Sequence, residues 1–168
     1  MTLQAWPALA FSLTLAANLL SAVEPLWIQL GERNQEHGLS VPSEGDGSNV
    51  PAVIAGTPCR RTAGARAQYL YVKADAALVP LGDYDAYAVI DYFDDSPRIA
   101  RVSFDVCPVV RESNSCYTVA DDLVLLGGAG EWQRAVIHLP HARFGHGQNF
   151  GADFRLEGDS LAVRRIEV

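Results

Sequence analysis

The sequence predicts an all-β protein, an antiparallel β-sandwich preceded by one hydrophobic helix at the N-terminus. From residue 50 onward, short segments rich in β-branched and aromatic residues recur, turn residues separate them, and no helical stripe of apolar residues appears. The 168 residues, 49% of them hydrophobic, suffice for one domain with a core. We divide the chain into a hydrophobic segment at 1–27, a polar connector at 28–49 leading into the fold, and a β-sandwich domain at 50–168.

The N-terminal segment has the length of a membrane anchor. Residues 3–23 contain no charged side chain, and at a rise of 1.5 Å per residue a helix of this length crosses a hydrocarbon core of about 30 Å. Ala8, Ser12 and Ala16 recur every four residues and would present a small-residue face to another transmembrane helix. We therefore expect the segment to pack against the membrane helices of a partner.

Two features indicate that this segment stays on the protein. Its start has no Lys or Arg, and Leu20 stands where a cut after Ala22 would need a small residue. The first basic residue after the run is Arg33, so no positive-inside signal keeps the domain in the cytoplasm. We expect an anchor in the bacterial cytoplasmic membrane with the domain on the periplasmic, extracytoplasmic side. A cleaved signal peptide, and hence a secreted protein, is the alternative.

The remaining elements are predicted from alternation and from turn residues. In residues 99–106, Ala100, Val102 and Phe104 alternate with polar residues, as in a half-buried strand. Pro140 is expected to end the strand that begins at Trp132, and the paired arginines at 164–165 predict a bulge in the last strand. The predicted strands include residues 68–74, 87–93, 99–106, 122–126, 132–139, 154–157 and 161–168.

The loop before residue 154 is rich in histidine and glycine (HARFGHGQNFGAD). We interpret it as a hydrogen-bonded structural loop in which Gly145, Gly147 and Gly151 adopt positive φ. Phe154 and Leu156, which follow it, are expected to face the core.

Composition and motifs exclude several function classes. A net charge of −7 disfavours a nucleic-acid partner, which requires clustered Lys and Arg. The sequence has no CxxC motif, Walker loop, dinucleotide fingerprint or G-x-S-x-G elbow. The acidic pairs at 94–95 and 121–122 lie at predicted turns, where Asp bonds its own backbone. We therefore predict a protein that is not an enzyme.

The three cysteines suggest one disulfide. Cys107 and Cys116 bracket a polar loop and would join in an oxidising compartment, with two unpaired thiols as the alternative. Cys59 is expected to be a buried thiol.

The order of several segments resembles a known family. EHGLSVPSEGDG, GTPCRRT, YLYVKAD, AYAVIDYFDD and RVSFDV are followed by a Trp-led strand, LPHARF, QNFGADFR and LAVRR. This order resembles the galactose-binding-like jelly-roll domains attached to secreted bacterial glycoside hydrolases, close kin of carbohydrate-binding modules. The resemblance covers about residues 36–168 and departs from the family pattern in the loop CPVVRESNSC. It implies a non-catalytic jelly roll.

The resemblance also implies a candidate metal site, because related modules often hold a structural calcium near the start of the domain. Glu36, Asp46 and Asp153 would supply the oxygen ligands that calcium prefers. The sequence points to no other cofactor, and a structural loop without metal is the alternative.

Two functions fit these features. The first is a non-catalytic accessory subunit docked on a bacterial membrane complex of the respiratory, photosynthetic, secretion or envelope type, with partners in transmembrane helices and extracytoplasmic surfaces. The alternative is a carbohydrate-binding-module-like protein that recognises glycans. Tyr69, Tyr71, Tyr84 and Trp132 are the candidates for contacting a protein partner or for stacking on sugar rings.

Overall fold

A computed structural model describes residues 24–64, 68–107 and 117–168. These residues form an all-β fold of two antiparallel sheets, which confirms the predicted class. The predicted N-terminal helix, with Ala8, Ser12 and Ala16, lies outside the described residues. Among the residues that are described, no helix is long and apolar enough to cross a membrane.

The two sheets pack face to face in a sandwich-like arrangement. The described strands, in chain order, are β1 (Trp27–Gln29), β2 (Gln35–His37), β3 (Leu39–Ser40), β4 (Asn49–Ile54), β5 (Thr57–Thr62), β6 (Tyr69–Ala74), β7 (Tyr84–Asp94), β8 (Pro97–Asp105), β9 (Tyr117–Val119), β10 (Val124–Gly127), β11 (Glu131–Ala142), β12 (Phe154–Glu157) and β13 (Ala162–Glu167). The first sheet has the order β11-β7-β13-β1-β2, and the β4–β5 hairpin joins it through β13. The second has the order β10-β8-β12-β6-β3, with β9 paired to β8.

The segment predicted as a connector is built into both sheets. Trp27 opens β1, which pairs with β13 and β2, so the predicted boundary at residue 27 falls inside a strand. β3 pairs with β6 in the other sheet. The segment is polar overall, but Ile28, Leu30 and Leu39 are buried in the core. The segment therefore contributes an interior strand, β1, and two edge strands, β2 and β3.

The core lies between the sheets and is centred on β12. Phe154 and Leu156 are fully buried, as predicted from their alternation. β12 is an interior strand, and Phe154 pairs with Val72 of β6 on one side and with Phe104 of β8 on the other.

The strands β13 and β11 each contain a register shift. The register of β13 shifts between Val163 and Arg165, which confirms the predicted bulge at the paired arginines. β11, however, does not end at Pro140: it continues to Ala142 with a register shift after Leu139. The prediction was wrong because β11 is the outermost strand of its sheet, where a missing backbone N–H breaks no ladder on the open side.

The strand register defines two ends of the domain. Leu26 and Val168 exchange backbone hydrogen bonds, and Tyr84 pairs with Ala142 nearby on β7 and β11. We call this the Glu24 end, after the first described residue. At the opposite end, called the far end, Asp94 pairs with Glu131. β8 starts and β10 finishes at the far end, because the chain turns directly from β7 into β8 and Pro97 pairs with Gly127.

Candidate functional site

An arginine held between two tyrosines occupies the outer face of the second sheet. The guanidinium of Arg155 lies 4.4 Å from the ring centre of Tyr69 and 4.0 Å from that of Tyr117. Its Nη2 is 2.8 Å from Glu157 Oε1, which also accepts a hydrogen bond of 2.6 Å from Ser103 Oγ. Cation–π contacts and the ion pair together fix this side chain on the sheet. One face of Tyr69 is therefore already covered.

Tyr71 is fully buried, although the sequence suggested it as a contact residue. The ring of Phe150 packs edge-on at 5.3 Å, and a side chain at Gly47 would clash with the Tyr71 ring. The Tyr71 hydroxyl donates to Asp46 Oδ1 at 3.2 Å and accepts from Asn149 Nδ2 at 3.1 Å. Burial raises the pKa of Tyr71 to about 12. Tyr71 thus holds two loops onto the sheet and has no free face.

Trp132 lies on the outer face of the first sheet. Arg164 sits 4.9 Å above its ring, and Phe93 packs edge-on at 5.3 Å. Asp91 lies on the same face, between Arg164 and Arg134, and Arg134 Nε donates to it at 2.6 Å. The hydrogen bonds from Arg134 hold the pKa of Asp91 below its usual value, against the opposing effect of burial. Arginine–carboxylate pairs therefore bridge three strands beside the tryptophan.

Tyr84, the fourth aromatic candidate, belongs to the Glu24 end. Its ring packs edge-on against Phe144 at 5.5 Å, and its hydroxyl donates to the carbonyl of Pro80 at 2.8 Å. The structure does not bring the four candidates together: they lie on both sheets and at one end, and each already contacts other groups in the domain.

Asp153 anchors the loop that precedes β12. Its buried carboxylate accepts backbone hydrogen bonds from Ala74 and His146, each at 2.8 Å, and lies 3.1 Å from His146 Nδ1. Burial raises the pKa of Asp153, while the two backbone donors oppose that rise. These bonds tie the loop to β6, as expected of a structural loop.

Two glycines of this loop serve close approach to an acidic side chain. A Cβ at Gly147 would lie 2.9 Å from Asp105 Oδ2, and one at Gly145 would lie 3.2 Å from the same atom. The prediction of positive φ at these two positions was wrong, but it holds for Gly151 at 68°. Positive φ occurs instead at non-glycine residues, among them Phe144 and His146. The Asp105 carboxylate at both positions, and Leu81 Cδ1 at 3.0 Å from a Cβ at Gly145, leave little room for a larger side chain.

The three carboxylates suggested for calcium are not assembled into a site. Glu36 is exposed on β2, Asp46 is bonded to Tyr71, and Asp153 already accepts two backbone N–H groups and lies 3.1 Å from His146 Nδ1. Across 24–64, 68–107 and 117–168, no group of three or more His, Cys, Asp or Glu side chains is placed to hold a metal ion. Donors within the chain already occupy oxygens of Asp46 and Asp153.

A polar cavity of about 430 Å³ lies beside this loop. Glu36, Ser40, Lys73, Asp75 and His146 are among the residues that line it. Side chains of both charge signs lie next to one another here. Such a lining suits a small polar molecule better than an ion of either sign.

An apolar groove of about 740 Å³ opens at the Glu24 end. The loop between β6 and β7 forms one wall, and it exposes Leu78 by 55% and, further along, Leu81 by 44%. The main apolar lining residues are Pro25, Leu26, Leu78, Val79, Phe144 and Val168. The groove was not predicted from the sequence, because its walls come from segments far apart in the chain.

The rim of the groove is acidic, but its acids have partners. Asp83 lies 3.1 Å from His141 and 3.0 Å from Arg143. Asp85 bonds His138, and Glu24 lies 3.8 Å from His37. Of these partners, Arg143 alone carries a fixed positive charge, so the rim stays acidic on balance and provides no basic cluster.

Cys59 and Asp94 are both buried. Cys59 is a free, buried thiol as predicted, and burial raises its pKa. Cys116 lies outside the described residues, so the disulfide to Cys107 stays a prediction. Asp94, from one of the acidic pairs, accepts backbone hydrogen bonds from Gly128 at 2.6 Å and Ala129 at 3.0 Å. Those donors lower the pKa of Asp94.

No family model matches the chain, and no curated protein matches it either. The two antiparallel sheets are compatible with the fold that the sequence resemblance implies.

Proposed function

We propose that the protein is a non-catalytic, membrane-anchored β-sandwich that docks as an accessory subunit on a bacterial membrane complex. The observation that carries this proposal is the position of Glu24. There the uncharged segment 1–23 joins the domain, directly beside an apolar groove and a loop with two exposed leucines. Surfaces of this kind on soluble domains mark contacts with proteins or membranes.

In this proposal residues 1–23 form a transmembrane helix, and the domain lies on the periplasmic side. Ala8, Ser12 and Ala16 form the helix face that packs against a partner helix, because small residues allow close approach of two backbones. The disulfide between Cys107 and Cys116 closes its loop in the oxidising periplasm.

The domain itself is, in this proposal, a galactose-binding-like jelly roll. The order of motifs in residues 36–168 supports this assignment, and so does the pairing of two antiparallel sheets. The aromatic residues favour a structural use of the fold over glycan recognition. Arg155 covers Tyr69, Arg164 covers Trp132, and Tyr71 is buried, so stacking on a sugar would displace existing contacts.

Glycan recognition by a secreted form is the second candidate, and the polar cavity favours it. Lys73, Asp75 and His146 offer hydrogen-bonding groups to a small polar ligand. This cavity lacks an aromatic wall among its lining residues in the described part of the chain. The membrane-complex subunit is therefore the better supported of the two functions.

Purification from native membranes tests the proposed function. The full chain, carrying a C-terminal tag and extracted in mild detergent, is expected to migrate with a larger complex. Replacing Ala8, Ser12 and Ala16 together by leucine should release it from the complex while leaving it in the membrane, because the helix can no longer approach its neighbour. Leucine at Ala10 and Thr14, about half a turn away, is the matched control. Migration of the unaltered chain alone would contradict the proposal.

A further inference from the structure

We propose that the Glu24 end of the domain rests on the bilayer, with its apolar groove and the Leu78–Leu81 loop in contact with the interface of a zwitterionic membrane. This inference rests on the proposed anchor, and it adds which surface of the domain faces the lipid and what kind of lipid it meets.

The path of the chain limits how far the groove can lie from the membrane. Pro25 and Leu26 line the groove and follow directly after Glu24, where the anchor joins the domain. Two extended residues span at most about 7 Å. The headgroup layer on each side of the hydrocarbon core is about 5–7 Å thick. The groove therefore lies within or directly above that layer.

The loop beside the groove has the composition of an interfacial contact. Between Asp75 and Asp83 the chain reads AALVPLG, with no charged residue. Leu78 and Leu81 are 55% and 44% exposed, at the end of the domain where the chain enters the membrane. Burial of such side chains in the interface removes apolar surface from water.

The charges at this end favour a zwitterionic lipid surface over an anionic one. The three acids on the rim, Glu24, Asp83 and Asp85, outnumber the one arginine that pairs with them, so no excess positive charge faces the membrane. The chain as a whole carries a net charge of −7. Attraction to anionic lipid requires a basic cluster, which this rim does not provide. The contact should therefore be apolar and insensitive to salt.

Depth-dependent quenching in vesicles tests the inference. The full chain is reconstituted in phosphatidylcholine vesicles containing a nitroxide lipid, with a thiol-reactive fluorophore at Leu78→Cys. Leu125→Cys is the matched control, because Leu125 is 63% exposed and lies near the far end. The native chain, taken through the same labelling, gives the background from its own cysteines. Quenching at position 78 should exceed that at position 125 by at least about twofold, with no loss on adding salt and no gain on adding phosphatidylglycerol.

The alternative outcomes are distinguishable. Equal quenching at both positions, or none at 78 in a chain that resists alkaline extraction, overturns the end-on contact but leaves the anchor in place. Release of the chain by alkali overturns the anchor, and the inference with it. Quenching that needs phosphatidylglycerol overturns the apolar contact. A probe at 78 that is unquenched in vesicles but shielded in the native complex assigns this surface to a protein partner and overturns the lipid contact.

Discussion

Replacing Phe154 by alanine is expected to lower the free energy of unfolding by about 3–5 kcal/mol, as for other truncations of a buried aromatic ring. Phe154 is fully buried on an interior strand, between Val72 and Phe104 of the neighbouring strands. Truncation would leave a cavity that strands hydrogen-bonded on both sides cannot close. Denaturant unfolding of the full chain in detergent, followed by near-ultraviolet circular dichroism, measures the loss.

Leu125→Ala is the control for this experiment, because its side chain is 63% exposed. We expect it to change the free energy of unfolding by less than about 0.5 kcal/mol. If Phe154→Ala is no more destabilising than Leu125→Ala, Phe154 does not lie in the core as described.

Replacing Asp153 by alanine is expected to destabilise the fold by about 2–5 kcal/mol, since one buried and one partly buried backbone N–H group lose their acceptor. These groups belong to Ala74 and His146, and each donates to the carboxylate at 2.8 Å. Asp153→Asn keeps one acceptor oxygen and should cost less. Denaturant unfolding gives the energies, and hydrogen exchange at the Ala74 amide reports the lost bond directly.

A substitution at an exposed aspartate is the control for Asp153→Ala. Asp159 is exposed, and Asp159→Ala should leave both the unfolding free energy and the exchange at Ala74 almost unchanged. Normal protection of the Ala74 amide in Asp153→Ala would show that this carboxylate is not its acceptor.

The alternation of apolar and polar residues predicted the buried face of a strand where that strand is long enough to show it. Ala100, Val102 and Phe104 face the core on β8, as predicted, because one side of that strand meets the other sheet. β1 was not predicted, because a strand of three residues is too short to show an alternation of apolar and polar side chains. Its position depends on a partner at the other end of the chain: Trp27 pairs with Glu167. Pairing over such a separation leaves no local signal in the sequence.

The side-chain contacts were harder to predict than the strands. Tyr69 and Tyr71 share a face of β6, as the alternation indicates, but only Tyr71 is covered by loops. Arg155 reaches Tyr117 from another strand, so no local spacing relates these residues. Asp153 was a candidate calcium ligand because of its residue type, whereas its actual donors come from β6 and its own loop. Contacts of this kind depend on which strands become neighbours.

The N-terminus of the mature protein tests the central claim most directly. The chain is isolated from native membranes through a C-terminal tag, and its intact mass and N-terminal peptide are measured. A membrane-anchored subunit retains the uncharged segment ahead of Glu24, including Ala8, Ser12 and Ala16. We predict a mature chain that contains this segment. A mature chain that begins near Val23 would contradict the anchor and the membrane-complex function built on it.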